Sequence, residues 1–515
     1  MILVHDFLTA SAARFPQRAA LIRDGRRVSF AELDRDSDQL AAAFQDWGLT
    51  RGERVLSFME NSVEMVIALF ATWKAGAVFV PVHPATKADK LAYMLNDCGV
   101  RWMVTEPALA GVADEAAAQS PALAGVLWTG ERRAGAQRTE SLVDVLRGPH
   151  RAPADPGLID NDLCVIIYTS GSTGLPKGVM LTHANMANTA RSISTYLGNV
   201  PEDVVICVLP LSFDYGLYQV VTGALIGFSV VLEKSFAYPW ETMRRMAEER
   251  VTGLPGVPTI FARLLQMAPF EGLDLGRLRY MTNTAAALPL AHLRRLGELF
   301  PATRIFSMYG LTECTRVSWL PPERLAEKAG SVGRAIPNGE VWVAGEDGAP
   351  LPPGEVGELV IRGAHVMRGY WGKPAETARA LRDGTIQGEK VLHSGDLFRM
   401  DAEGFLYFVG RRDDVFKCRG HKVSPKEVED ILYELEDVAE AAVIGVDHPL
   451  DGKAVKAFVA PRQGSALTED ELRRHCRARL EPHLVPRLFE LVAELPKTDT
   501  GKIRKGNPRR AGQPI

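Results

Sequence analysis

The spacing of apolar and polar positions changes character along this chain. Residues 55–59 form a short apolar run that predicts a strand, 63–74 carry a helical repeat, and 77–82 predict the next strand. Further on, 204–209 and 229–232 predict strands and 242–249 a helix. Strand–helix alternation of this kind builds α/β layers with largely parallel sheets. After about residue 335 the rhythm shortens. Residues 341–344, 357–362 and 405–409 predict short strands between Gly, Pro and Asp turns, as in a small β-rich subdomain covering about 335–411. Beyond Arg412 the pattern is mixed: helix 426–436, strands 441–446 and 454–459, helix 468–480. The fold class is therefore α/β, with a large N-terminal domain (1–411) of layered subdomains and a small α+β C-terminal domain (412–515) of ordinary domain size.

Composition narrows the function. In 515 residues, 60 Lys and Arg face 63 Asp and Glu, a formal charge of −3, so no global basic excess attracts nucleic acid or an anionic membrane. Cys98, Cys164, Cys207, Cys314, Cys418 and Cys476 are scattered without metal-ligand or disulfide-framework spacing, which suits reduced thiols in a cytoplasm. The N-terminal 22 residues carry Asp6 within their apolar stretch and lack a basic leader, so they predict an amphipathic helix and not a signal peptide. Of the most apolar stretches, 63–82 contains Glu64 and Lys74, and 220–232 is short with two glycines; neither predicts a membrane span.

The densest local signal is the segment Tyr168-Thr169-Ser170-Gly171-Ser172-Thr173-Gly174-Leu175-Pro176-Lys177-Gly178, after an apolar strand at 163–167 and before a helical pattern from about Ala184. Its glycines permit close backbone approach to a ligand. Its hydroxyls and successive N–H groups form a concavity for anionic oxygens, and Lys177 adds charge. It is not a Walker A loop, because Pro176 stands where the second glycine would be required. A bare Gly/Ser loop reads as a surface turn; this density, ending in Pro-Lys-Gly, reads as a phosphate cradle.

The segment resembles the signature loop of the adenylate-forming superfamily of acyl-CoA synthetases, nonribosomal adenylation domains and beetle luciferases. Further segments resemble that superfamily's motifs in the same order: Tyr309-Gly310-Leu311-Thr312-Glu313, Gly357-Glu358-Leu359 with Arg362-Gly363 and Gly369-Tyr370-Trp371, Ser394-Gly395-Asp396, Gly410-Arg411-Arg412-Asp413-Asp414 with Lys417 and Gly420, and 496–502. The resemblance implies a C-terminal domain that moves relative to the rest. It also implies ATP-dependent activation of a carboxylic acid as an acyl adenylate, then capture of the acyl group by a pantetheine thiol of CoA or of a carrier protein.

Site roles follow from the same resemblance. Thr169, Ser170, Gly171, Ser172, Thr173, Gly174 and Lys177 would hold the β- and γ-phosphates, Thr312 the α-phosphate, and Glu313 a Mg²⁺ ion, for which a carboxylate is a suitable hard ligand. Tyr309 would pack on adenine near Thr284, Ala285 and Ala286, Asp396 would accept the ribose hydroxyls, and Arg411 would assist. Lys502 would bridge the α-phosphate and the carboxylate in adenylation, Asp413 would be the hinge, and Gly420 would pass the pantetheine arm. Taken singly, Asp396 reads as a turn residue, Glu313 as a surface acid and Lys502 as a tail charge. His183 reads as support for the junction between loop and helix, and Cys418 as incidental.

The acid pocket is expected from Phe213, Asp214, Met308, Arg316 and Val317. Two readings of Asp214 stay open. It is the counter-ion of an amino-acid substrate, or the N-cap of a helix starting near Tyr215. A cation at Arg316 is unusual for a plain fatty-acid tunnel. The leading expectation is an AMP-forming acid–thiol ligase using CoA. A ligase loading an amino acid on a carrier protein is the alternative, and a luciferase-like oxygenase a distant one.

Overall fold

The computed structural model describes residues 3–131, 137–169, 175–284, 288, 290–412, 414–418, 421–448 and 452–497. The expected α/β architecture is present. Among the described residues one sheet has nine strands. Its centre runs Arg304–Tyr309, Tyr280–Asn283, Gly253–Gly256, Val204–Cys207, Ser229–Leu232 and Ala19–Arg23, all parallel. A second sheet of eight strands includes Leu163–Thr169, Val78–Val82, Arg54–Phe58 and Val100–Thr105, again parallel.

Several helices share one apolar core with both sheets, while Ala88–Asp97 and Ala110–Ala118 pack on the eight-stranded sheet in a second. Val63–Lys74 is buried almost throughout. Its terminal cation is compensated, since Lys74 donates to Asp34 and Asp38 at 2.6 Å each. The charge that argued against a membrane span therefore anchors one helix to another inside the protein. No helix of the described residues is long and apolar enough to cross a membrane.

Gly339–Ala344, Val356–Gly363, Lys390–Met400, Leu381–Asp383 and Leu406–Arg411 form a separate antiparallel sheet. After it the chain builds a distinct core around Val423, Val428, Leu432, Val443, Val455 and Leu472. This core lies between the sheet Val438–His448, Gly452–Pro461, Leu488–Leu491 and the helices Pro425–Leu432 and Glu469–Arg479.

Two local expectations need correction, while the helix expected from about Ala184 is present and preceded by a strand. The segment after the Gly-rich loop is a strand, Lys177–Thr182, that pairs antiparallel with Leu163–Thr169 before the helix His183–Leu197 begins. Thr169 faces Lys177 in that ladder, a register the two strands specify together. The helix expected over 426–436 ends at Leu432, because the chain continues in i→i+3 turns through Leu435 and Val438. Asp214 is not an N-cap. The helix Asp214–Ile226 has Phe213 in that position with no side-chain cap, and Asp214 is its first residue. An acid there still complements the unpaired N–H groups and the dipole of the first turn.

Candidate active site

Two strands and a glycine turn hold the carboxylate expected to meet the ribose. Asp396 and Arg411 face each other in register on the strands Lys390–Met400 and Leu406–Arg411. Gly395 takes φ 72° in the middle of the first of these, a left-handed conformation that favours glycine, and its N–H donates to Glu358 at 3.0 Å. Asp396 is 5% exposed. Its two oxygens accept from different neighbours, Oδ1 from Arg411 Nε at 2.8 Å and Oδ2 from the Tyr309 hydroxyl at 2.6 Å. The Tyr309 ring is braced edge-on by Phe398 at 4.8 Å. Burial, then the Asp396 charge, push the Tyr309 phenol well above its ordinary range, so it stays a donor. An ionised carboxylate offers about four lone-pair sites. Two remain on Asp396 for a vicinal diol.

Residues expected at the phosphates gather around a second tyrosine. The short strand Gly369–Tyr370 pairs with Lys177–Thr182, setting Tyr370 opposite Val179. The Tyr370 hydroxyl donates to Glu313 Oε1 at 2.7 Å, and Lys177 Nζ stands 4.8 Å from the Tyr370 ring centroid. Met367 N–H donates to the Glu313 carbonyl at 2.7 Å, so backbone and side chain of Glu313 are both held. Burial and the Glu313 charge raise the Tyr370 phenol, which keeps its proton. Thr312 is half-buried in the turn between these two ends, and Thr284 is buried just beyond the strand Tyr280–Asn283.

Between Tyr309 and Val317 the chain folds back on itself. Val317 N–H donates to the Tyr309 carbonyl at 2.9 Å, and Thr315 takes φ 61°. Gly310 is required here: a Cβ would lie 2.2 Å from the Thr315 carbonyl oxygen. This turn carries Met308, Arg316 and Val317 inward, at 4%, 2% and 1% exposure. The Arg316 guanidinium sits 4.9 Å over the Tyr215 ring. Phe213 stacks on His83 at 5.6 Å. Asp214 is half-buried, and its charge weighs on the buried Tyr218 phenol and Cys314 thiol.

The structure thus gathers Thr169, Lys177, Glu313 and Tyr370 at one end, Tyr309, Asp396 and Arg411 at the other, and Met308, Arg316 and Val317 beneath the turn. Ser170, Gly171, Ser172, Thr173, Gly174, Ala285, Ala286, Asp413, Gly420 and Lys502 lie outside the described residues. Sequence reading passed over three tyrosines. Tyr370 stands within the Gly-Tyr-Trp segment but drew no role, and Tyr215 read only as a helix residue. Tyr196, whose hydroxyl donates to Met308 Sδ at 3.1 Å, carries no sequence signal at all. His183 is fully buried, and its Nδ1 accepts from Val4 N–H at 3.2 Å. Burial pushes it down to about 3, so it is a neutral structural group.

Among the described residues no cluster of three His, Cys, Asp or Glu side chains could hold a metal ion. Glu313 still fits a magnesium ion that arrives on a nucleotide, since Mg²⁺ usually takes one or two carboxylates and fills its shell with phosphate oxygens and water.

Comparison with known proteins bears on this arrangement. The model of the AMP-binding enzyme family matches residues 8–371, and that of the AMP-binding enzyme C-terminal domain matches 427–502. A long-chain-fatty-acid–CoA ligase of Bacillus subtilis is 32% identical over 97% of this chain and 93% of its own length. A feruloyl-CoA synthase of Amycolatopsis is 34% identical over 96% of each. The crystal structure of an anthranilate CoA ligase in complex with anthranoyl-AMP superposes with a TM-score of 0.88 at 26% identity, covering 98% of this chain and 95% of that one. A carboxylate platform and a tyrosine-held glutamate suit acyl adenylate chemistry, and the chain belongs to the AMP-binding enzyme family of AMP-forming acid–thiol ligases.

Proposed function

We propose that this protein activates a carboxylic acid with ATP at the Asp396–Glu313 site and passes the acyl group to CoA. A carboxylate is a poor acyl donor because oxide is a poor leaving group. Attack of its oxygen on the α-phosphorus forms the mixed anhydride with AMP and releases pyrophosphate. Attack of a thiol on the acyl carbon then forms the thioester and releases AMP. The observation that carries this reading is the geometry of Asp396, whose two oxygens are each oriented by one donor and each keep a lone pair for a ribose hydroxyl.

Around it the residues take distinct tasks. Thr169 to Gly174 with Lys177 hold the β- and γ-phosphates, and Thr312 donates to the α-phosphate. Thr284, with Ala285 and Ala286, flanks the adenine beside Tyr309. Glu313, oriented by Tyr370, binds the magnesium ion, which supplies charge neutralisation on the phosphate oxygens. Lys502 approaches the α-phosphate and the carboxylate where negative charge accumulates, and aimed donors at such a point usually make the largest catalytic contribution. Asp413 is the hinge that withdraws Lys502 after the first step and brings Gly420 alongside the pantetheine arm. We divide the chain at residues 411 and 412, where the apolar core changes. Six free cysteines, all buried, suit a cytoplasmic protein.

The test is pyrophosphate release over a panel of fatty, aryl, dicarboxylic and amino acids with CoA omitted. Transfer follows, with CoA and a pantetheinylated carrier protein offered separately. Adenylation of an organic acid with CoA preferred is the expected result. Adenylation confined to amino acids, or transfer to the carrier protein alone, would replace this reading with the carrier-loading one. Oxygen uptake with light emission would replace it with the oxygenase reading.

A further inference from the structure

Among the described residues, Lys74 and Arg316 are the two fully buried cations. Lys74 has Asp34 and Asp38, and Arg279, partly buried, has Asp203 at 2.7 Å. Arg316 is different. It is 2% exposed, its Nε has no hydrogen-bond partner, and no Asp or Glu among the described residues forms an ion pair with it. What surrounds the guanidinium is aromatic: the Tyr215 ring lies 4.9 Å below it and the Tyr196 hydroxyl is close by. Tyr215 is itself pinned by donation to the Thr282 carbonyl at 2.9 Å. A cation–π contact of this kind contributes about 0.5–2 kcal/mol. Removing the partner of a buried charge costs about 3–5 kcal/mol. The ring alone does not offset that, and a guanidinium fork is shaped to receive a carboxylate in two parallel hydrogen bonds.

The position of Arg316 says which carboxylate. It belongs to the turn that begins at Tyr309, the donor to Asp396, and it follows Thr312 and Glu313 within a few residues. Four residues of extended chain span at most about 14 Å. This segment is folded back, with Arg316 N–H donating to the Cys314 carbonyl at 2.6 Å. A group bound at Arg316 is therefore close to the carboxylate being activated. The chain neighbour of Arg316, Val317, and nearby Met308 are buried and apolar.

We propose that Arg316 receives a second carboxylate at the far end of the substrate, so that the acid this enzyme activates is a short dicarboxylic acid. The inference rests on the ligase reading above and adds the substrate class to it. Long monocarboxylic chains are disfavoured, because their tails would cover an arginine and leave it unpaired. Matched monoesters of the same diacid lose the contact without losing length.

The experiment measures kcat/KM for pyrophosphate release with a series of aliphatic and aryl diacids, their monomethyl esters and monoacids of equal length. The native enzyme and its Arg316→Met and Arg316→Lys variants are compared. A diacid is expected to exceed its monoester by about 100-fold or more in the native enzyme, the fold-change of a broken buried pair. Arg316→Met should collapse that ratio towards one, and Arg316→Lys, which keeps the charge, should retain part of it. Equal use of diacids and monoacids by the native enzyme overturns the inference and leaves the ligase reading standing. So does an Arg316→Met enzyme that melts lower but keeps the native ratio. Should Arg316→Met not fold, the diacid-to-monoester ratio of the native and Arg316→Lys proteins decides. No pyrophosphate release with any acid overturns the ligase reading and this inference with it.

Discussion

Tyr309 donates its hydroxyl to Asp396 at 2.6 Å while Arg411 donates to the other oxygen of the same carboxylate at 2.8 Å. The proposed nucleotide platform is therefore a three-residue network. The tyrosine acts through its hydroxyl as well as its ring. Hydrogen bonds to a charged group contribute about 1.5–3 kcal/mol. Tyr309→Phe keeps the ring against Phe398 and removes only the donor. ATP affinity should fall about 10- to 100-fold, with a small change in melting temperature. Unchanged ATP affinity in a calorimetric titration would show that the bond serves the fold alone.

The Tyr370–Glu313 bond makes a parallel prediction for magnesium. Partners that orient a metal ligand typically alter metal affinity about 10- to 100-fold when removed. Glu313→Gln should raise the magnesium concentration needed for half-maximal adenylation by at least about tenfold. Tyr370→Phe should move it in the same direction by less. A magnesium titration that superposes on the native curve in both variants would return Glu313 to a structural role.

Lys502 is predicted to serve one half-reaction. Lys502→Ala should slow acyl-AMP formation by about 100-fold or more, the usual effect of losing one donor to developing charge. Thioester formation from supplied acyl-AMP should persist. Equal loss in both steps would remove the lysine from this assignment.

Asp214 separates a helix-terminus role from recognition of a substrate ammonium. As the first residue of its helix it should contribute about 0.3–1 kcal/mol through the dipole. Asp214→Ala should then lower the melting temperature slightly and leave substrate choice intact. An ammonium stranded by the same change would cost about 3–5 kcal/mol, and selective loss of amino-acid activation would reveal it.

His183 and His5 give the protein an acid-sensitive seam. Burial pushes His183 down to about 3, and His5 down to about 4 against the opposing pull of Asp6. Their rings meet edge-on at 5.8 Å. Both are neutral in the folded and unfolded chains above pH ~6.5. Below that value the unfolded chain takes up protons that the folded chain refuses. Stability should fall as pH drops from ~6.5 towards ~4, by about 1.4 kcal/mol per pH unit per histidine. Denaturant melts at several pH values should show a shallower slope for His183→Asn than for the native chain. Equal slopes would mean that other groups set the acid limit.

Much of this protein was determined by local sequence. The α/β class followed from apolar runs alternating with helical repeats, since burial on a sheet and on a helix impose different periods. The Gly-rich segment at 168–178 stood out because glycines, hydroxyls and charge at close spacing suit anionic oxygens, whereas the roles proposed for Tyr309, Asp396 and Arg411 came from the family resemblance. Tertiary structure decided the rest. Lys177–Thr182 is a strand because Leu163–Thr169 and Gly369–Tyr370 offer it ladders on its two sides. Asp214 opens its helix, and capping preference alone could not assign which backbone N–H groups remain unpaired there. That Tyr370 holds Glu313, and that Arg316 is buried over Tyr215 without a carboxylate, are contacts between segments far apart in the chain. No local propensity encodes them. They arise when separate turns and strands are packed against one another, and burial then makes each unpaired charge costly enough to carry meaning.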